Sequence, residues 1–548
     1  MNIGFKEDMH REFKSDINGI SDDTIIEAVV SFANTDGGVL YIGVEDDGEV
    51  TGLNKTHEDT VGLAAMVANK TVPAVSVRAI IELVGATPIV AIEVPKRTAI
   101  TATSSGKILK RRLKADNTPE NVPMYPYEIN SRLSDLSLLD FSALPVPDAT
   151  YDDIDPLERQ RLRRVIEDYH GEATLLELSD EELDKALRLV IQQGKELIPT
   201  YTGLLLLGKT SRLRDLMPTA ESSIQIMEGT NIRVNESFTL PLIQAFETIN
   251  DVFSANNKET ELEMGLYRMS IFDFDKRAFR ESLVNAYCHR DYSVLGRVRV
   301  LIDDQGLTIS NPGGFIEGIT IDNLLDAEPH GRNPVLADAM KRIGLAERSG
   351  RGIDRIFEGS LLYGKQLPDY SSSNSTRVTL FIPKSLPDIS FVKMISEENQ
   401  RTGRSMPIYS LLVLNYLKNN KKAQLKDIAQ AVHNDETKVK VAIENLVEAG
   451  LIEARGDGRG RHYILSSRVY QAQDNMAGYV RVSGIDQVKY EGYIIELAEK
   501  EGFVTRGSVA ELLNISLPQA YRRLVKLVEE GKLRREGEKR NTKYFING

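Results

Sequence analysis

The chain of 548 residues has no tryptophan, a single cysteine and only seven histidines. One cysteine, Cys288, excludes a disulfide framework and any zinc site built on several thiolates. The histidines are scattered and none of their spacings matches a metal-ligand pattern. No apolar run reaches the roughly 18 residues that a membrane-spanning helix needs. The first residues lack the basic-then-apolar order of a secretion signal. A soluble, cytoplasmic protein with no membrane partner is the expectation. Hydrophobic residues make up 41% of the chain, enough for real cores. At roughly 150 residues per domain, three or four domains are expected.

The net charge of −12 hides a division along the chain. Residues 401–548 carry 25 Lys and Arg against 18 Asp and Glu, whereas residues 1–400 carry 43 against 62. An acidic body with a basic C-terminal part predicts that nucleic acid meets the C-terminal part first.

Two glutamates, Glu7 and Glu12, precede Phe13-Lys14, and a helix-like stretch leads into Phe32-Ala33-Asn34-Thr35-Asp36-Gly37-Gly38. Gly37-Gly38 reads as a turn, residues 39–44 as a short buried strand, and Asp46-Asp47-Gly48 as a second turn. Acidic groups beside glycines at a strand end can converge with other carboxylates on a metal or a phosphate. The series Glu12-Phe13-Lys14, then Phe32 to Gly38, then Ile42-Gly43-Val44-Glu45-Asp46 resembles the Schlafen AlbA-type domain over residues 1–130. In nuclease-active members of that family an acidic trio is catalytic. The resemblance puts Glu7, Glu12 and Asp46 in those places, with Glu45 standing where the family has its first aspartate. Three carboxylates around Mg²⁺ or Mn²⁺ can polarise a phosphoryl oxygen and activate water. The run Lys107, Lys110, Arg111, Arg112 and Lys114 would then hold an RNA backbone. The alternative is that the carboxylates mark ancestry or salt-bridge a loop.

A proline-rich stretch around Pro119 to Pro147 leads into residues 131–199, which read as a linker and helical connector, with Ser179 and Glu182 marking a helix start. Thr202-Gly203-Leu204-Leu205-Leu206-Leu207-Gly208 reads as a buried strand. Residues 276–291 have helical periodicity, with Ala278, Phe279, Leu283, Ala286 and Tyr287 toward the core and Glu281 and Asn285 together on another face. Strands follow at 298–302 and 307–310. This stretch, with Asn311-Pro312-Gly313-Gly314, Arg332-Asn333-Pro334 and Gly350-Arg351-Gly352, resembles a divergent GHKL-type ATPase domain, taken as residues 200–390. The resemblance implies that Glu281 orients water, that Asn285 binds Mg²⁺, and that Asn311, Gly313, Gly350 and Gly352 meet ATP. Asn311 stands where that class has its adenine-reading aspartate, and Phe315 where it has a glycine. An asparagine oxygen can still accept a hydrogen bond from an adenine amino group. The other reading keeps the fold and uses the loops for protein contacts.

Residues 405–470 and 485–548 each show helices followed by a hairpin, the winged helix-turn-helix pattern. The candidate recognition helices are 435–448 and 517–530. Lys438 and Lys440 on the first, and Arg522, Arg523 and Lys526 on the second, would enter a groove. Arg459, Arg461, Arg534, Arg535, Lys539 and Arg540 on the hairpins would touch phosphates. Docking or dimerisation is the competing use, and a homo-oligomer is expected.

The expectation is a multidomain α+β chain with a Schlafen-like domain, a GHKL-like α/β domain and two winged helices. The leading function is a metal-dependent endoribonuclease acting on tRNA or structured RNA in phage defence or stress. The alternative is an ATP-responsive, DNA-binding transcriptional regulator without catalytic activity.

Overall fold

The computed structural model describes residues 3–547 apart from 265–266, 329–330, 348–349, 433–434, 457, 473–489, 514 and 538–541. The chain is a mixed α+β, multidomain protein built around three main hydrophobic cores. Among the described residues no helix is long and apolar enough to cross a membrane.

The N-terminal module is a four-stranded sheet. Strand β1 (Arg11–Lys14) lies parallel to β2 (Gly38–Ile42), followed by an antiparallel pair, β3 (Arg78–Val84) and β4 (Thr87–Val94), with β4 next to β2. Helix α1 (Asp22–Asn34) is capped by the Ser21 hydroxyl and buries Ile25, Val29 and Phe32 against the sheet. A hairpin, β5 (Leu109–Leu113) and β6 (Pro119–Pro123), crosses beside α1. The expected turn is there: Gly37 has φ +71°, and a Cβ on it would lie 2.8 Å from the Lys96 nitrogen. A Cβ on Gly38 would collide with the Phe32 ring, so the paired glycines let strand and helix close on each other.

Helix α2 (Pro126–Asp135) leads into the connector, which is packed rather than loose. Its Leu162 and Leu183 share one core with Leu204, Ile224, Phe279 and Leu380. Ser179 and Glu182 form the expected capping box. The stretch 202–208, expected as a strand, is instead helical from 202 to 207, within helix α3 (Tyr201–Leu207), with Gly208 as its C-cap. The Thr200 side chain accepts the Gly203 N–H at 3.1 Å and starts the helix, and all residues from Thr202 to Leu207 are buried. A wholly apolar run carries no period, so it did not separate a buried helix from a buried strand.

The second sheet has five strands. In spatial order they are Asn231–Phe238, Ser222–Glu228, Val298–Ile302, Gly306–Pro312 and Arg377–Pro383. Helix α4 (Lys276–His289) covers this sheet, with Phe279 stacked on Phe253 at 3.6 Å between ring centres. Two further helices, α5 (Pro334–Arg342) and α6 (Gly352–Leu361), close the layer. C-terminal to it, α7 (Ile408–Asn420), α8 (Leu425–Ala431) and α9 (Glu436–Glu448) precede a hairpin, Ile452–Arg455 with His462–Leu465. A further group has helices Tyr490–Glu501, Arg506–Leu513 and α10 (Leu517–Glu529), then the pair Leu533–Glu536 and Lys543–Ile546. One core runs through both groups.

Candidate functional site

The middle sheet and its helices enclose a cavity of about 220 Å³. Three segments far apart in sequence meet there. Glu281 and Asn285 project from α4, Asn311 and Gly314 come from the end of the fourth strand, and Gly350 and Gly352 stand at the start of α6. A methyl group added at Gly352 would lie 3.4 Å from Glu281 Oε2 and 3.5 Å from Asn285 Nδ2, so α6 begins directly against both side chains. Its N-cap residue, Arg351, makes no side-chain capping bond, leaving the first N–H groups of α6 without a side-chain acceptor from that position. Ile309, Phe315, Ile316, Leu324, Tyr370 and Leu380 make one wall apolar.

The electrostatics of the cavity are mostly acidic. Glu281, Glu328, Glu347 and Asp354 face it against Lys341. Desolvation raises the Glu281 carboxyl above its ordinary value, opposed by the Arg280 guanidinium at 3.2 Å. Desolvation also pushes the His289 imidazole down to about 4, with Arg332 adding to the effect, and the Cys288 thiol up to about 12. His289 is therefore neutral near pH 7 and Cys288 is an unreactive thiol. Gly313 does not line the cavity but shapes it. At φ +94°, a Cβ there would sit 2.9 Å from the Asp291 Cβ. The Asn311 amide donates to the Pro312 carbonyl at 3.2 Å.

Beside this cavity the N-terminal module is tied to the second sheet. Arg332, 2% exposed, donates to the Gly314 carbonyl at 3.1 Å and pairs with Asp291 at 3.4 Å and with Asp135 of α2. Arg132 pairs with Glu317 at 2.9 Å, and Lys96 reaches the same carboxylate at 3.2 Å. No pattern in the sequence pointed to these links, because each joins residues more than 150 positions apart or lies in an irregular loop.

The N-terminal carboxylates are arranged differently from the expectation. Glu12, 4% exposed, accepts from Arg111 Nη1 at 2.6 Å, from Asn121 Nδ2 at 2.8 and 2.9 Å, and from Lys14 at 2.8 Å. Arg111 also donates to the carbonyls of Asp8 and Arg11 and lies 4.8 Å from the Phe32 ring centre. Glu7 accepts the Phe13 N–H at 2.6 Å, and desolvation raises its carboxyl above the usual range. Asp46 is exposed in the turn after β2. Among the described residues no three His, Cys, Asp or Glu side chains are grouped to hold one ion. The structure does not bring Glu7, Glu12 and Asp46 together as one group, and Glu12 has two cations and an amide around it, neighbours that do not fit a divalent ion. The motif residues act as a frame. Asn34 binds the Thr101 backbone and the Leu109 carbonyl, and the Thr35 hydroxyl accepts the Arg111 N–H.

The basic run is divided between interior and surface. Arg111 is buried and cannot meet RNA; Lys107 pairs with Glu27, Lys110 with Glu128 and Arg112 with Glu120. Lys114 is exposed. In the C-terminal groups Lys440, Arg461, Arg522, Arg534 and Arg535 are exposed, whereas Arg523 is half-buried. Lys526 pairs with Glu491 at 2.6 Å, and Lys438 pairs with Asp326. The Arg459 side chain, Lys539 and Arg540 lie outside the described residues.

Residues 7–119 match the family model described as "Schlafen, AlbA_2". The N-terminal domain is of the Schlafen AlbA_2 type. Residues 296–380, which hold most of the cavity wall but not Glu281 or Asn285, match the model "Putative ATP-dependent DNA helicase recG C-terminal", so the Schlafen domain is followed by an ATPase-like domain. Residues 131–223, which include the packed connector and helix α3, match a domain of unknown function, DUF8451. No curated protein matches the chain. Among solved structures, the DIP2311 protein from Corynebacterium diphtheriae is similar at a TM-score of 0.51 and 20% identity, over 98% of this chain and 95% of that one. That likeness is one of fold.

Proposed function

We propose that this Schlafen-like protein binds nucleic acid under the control of a nucleotide held in the ATPase-like cavity, the regulator reading of its sequence. The observation that carries it is the convergence of Glu281, Asn285, Asn311, Gly350 and Gly352 on one cavity with an apolar wall. A base fits the apolar side, with the Asn311 side chain at its edge. Phosphates fit the start of α6, where backbone N–H groups and the positive end of the helix favour an anion. Four carboxylates facing the same space oppose a bare polyphosphate, so binding requires a divalent ion; Glu281 and Asn285 are the residues that would hold it. The ion would neutralise phosphate charge, and Glu281, raised by desolvation, would orient water if the nucleotide is turned over.

The two C-terminal groups read as winged helix-turn-helix modules, with α9 and α10 presented to a DNA groove and exposed Arg461, Arg522, Arg534 and Arg535 to phosphates. The Schlafen domain is nucleic-acid-related, and its surface carries Lys114, with Lys107 and Arg112 in exposed ion pairs. An endoribonuclease step finds no support at Glu12, whose oxygens are occupied by Arg111, Asn121 and Lys14. The deciding experiment is calorimetric titration of the full chain with ATP and Mg²⁺, repeated in EDTA and with Asn285→Ala. Heat that depends on the metal and falls in the variant supports the reading; no heat at millimolar nucleotide refutes it.

A further inference from the structure

The loop 315–328 joins the cavity to the C-terminal core. Phe315, Ile316, Leu324 and Leu325 line the cavity, and Leu325 also packs against that core. Next to it, Asp326 reaches two helices of the C-terminal region. Tyr409, at the start of α7, donates its hydroxyl to Asp326 Oδ1 at 2.5 Å. Lys438, in the first turn of α9, is ion-paired with the same oxygen. Its ammonium also lies 5.9 Å from the Tyr409 ring centre. A hydroxyl and an ammonium from separate helices therefore converge on one anionic oxygen, at the positive end of the helix expected to enter a groove.

A phosphate oxygen asks for the same donors, a hydroxyl and a cation near a helix start. The Asp326 carboxylate is an internal stand-in for it. Lys438 keeps 50% of its side chain exposed and Asp326 26%, so a duplex can reach the pair from solvent. We infer that Tyr409 and Lys438 form a DNA phosphate site that Asp326 occupies in the free protein, and that the loop 315–328 passes this site between Asp326 and DNA as the cavity fills. The inference rests on the DNA-binding reading of the C-terminal groups. A phosphate and Asp326 exclude each other at Lys438 by like charge, and a shift of Leu324 in the cavity moves Asp326 two residues along the same loop.

The test uses the full chain, a fluorescent duplex and anisotropy over a range of salt, with Asp326→Asn, Lys438→Ala, Tyr409→Phe and the double variant Asp326→Asn/Lys438→Ala. An exposed ion pair is worth up to about fivefold in an equilibrium constant. Asp326→Asn should bind DNA about three- to fivefold more tightly, with a log affinity–log salt slope steeper by about one unit, for one added phosphate contact. The gain should vanish in the double variant and shrink with Tyr409→Phe. ATP with Mg²⁺ should change the affinity of the unmodified chain and leave that of Asp326→Asn unchanged. A gain that survives Lys438→Ala would be a general charge effect and would overturn the inference, as would equal binding by Asp326→Asn and the unmodified chain. Measurable binding with those results removes this site alone; no binding by any variant removes the DNA reading as well.

Discussion

Replacing Glu12 with alanine takes both acceptor oxygens out of a buried ion pair and leaves the Arg111 guanidinium, 1% exposed, with the carbonyls of Asp8 and Arg11 and with Asn121. Removing one partner of a buried pair costs about 3–5 kcal/mol. The three bonds that Arg111 keeps place this case near about 3 kcal/mol. Lys14, 28% exposed, turns to water and adds little. A carboxylate cluster awaiting a metal ion would behave in the opposite way, because removing one of several repelling charges leaves stability unchanged or raises it. Hydrogen exchange on the intact chain, read on peptides covering Gly38–Ile42 and Thr87–Val94, separates the two. Protection there should fall by about two orders of magnitude for a loss of about 3 kcal/mol, while the C-terminal groups keep theirs. Glu12→Leu combined with Arg111→Met, an apolar pair of similar volume, should recover most of the loss. Unchanged exchange in Glu12→Ala would refute the structural role of this pair.

Three further outcomes are expected. ATP with Mg²⁺ should raise the thermal midpoint of the unmodified chain more than that of Asn285→Ala, since ligand at a hundredfold excess over Kd stabilises by about 2.7 kcal/mol; equal shifts in a thermal scan would exclude Asn285 from the site. His289 titrates near 4 in the folded chain against 6.5 when free, so the unfolded state binds more protons and stability falls as pH drops from about 6.5 to about 4. The loss is about 2 kcal/mol at pH 5, and urea melts of His289→Gln should lack that part of the pH dependence; identical curves would refute it. Arg522→Ala with Arg535→Ala should flatten the salt dependence of DNA binding by roughly two units, measured by anisotropy, if both touch phosphates; an unchanged slope would make the last helical group a docking module.

The local chemistry of the chain was legible where a pattern carries its own cause. Helix α4 and its core residues followed from a 3.6-residue period, the Ser179–Glu182 cap from a short polar signal, and Gly37-Gly38 from the need for a left-handed turn against Phe32. The domain types were legible as well, since motif residues such as Asn34 and Gly38 serve backbone contacts that few other side chains satisfy. That Glu281 and Asn285 share a face was fixed by their spacing of four on one helix.

What faces that pair was decided only in three dimensions. Gly352 arrives from 67 positions away, and the strand end at Asn311 closes the cavity from another side. The partners of each charge were likewise tertiary. Nothing in the sequence says that Arg111 is drawn inside to Glu12, 99 positions earlier, while Lys114, three residues on, stays in water. In a strand, successive side chains alternate between faces, so a run of basic residues is divided between interior and solvent by whatever packs on each side. The same holds for Lys438, exposed by its helical period and yet claimed by an aspartate 112 residues away. Periodicity fixes which way a side chain points, and only the packing of distant segments fixes what it meets there.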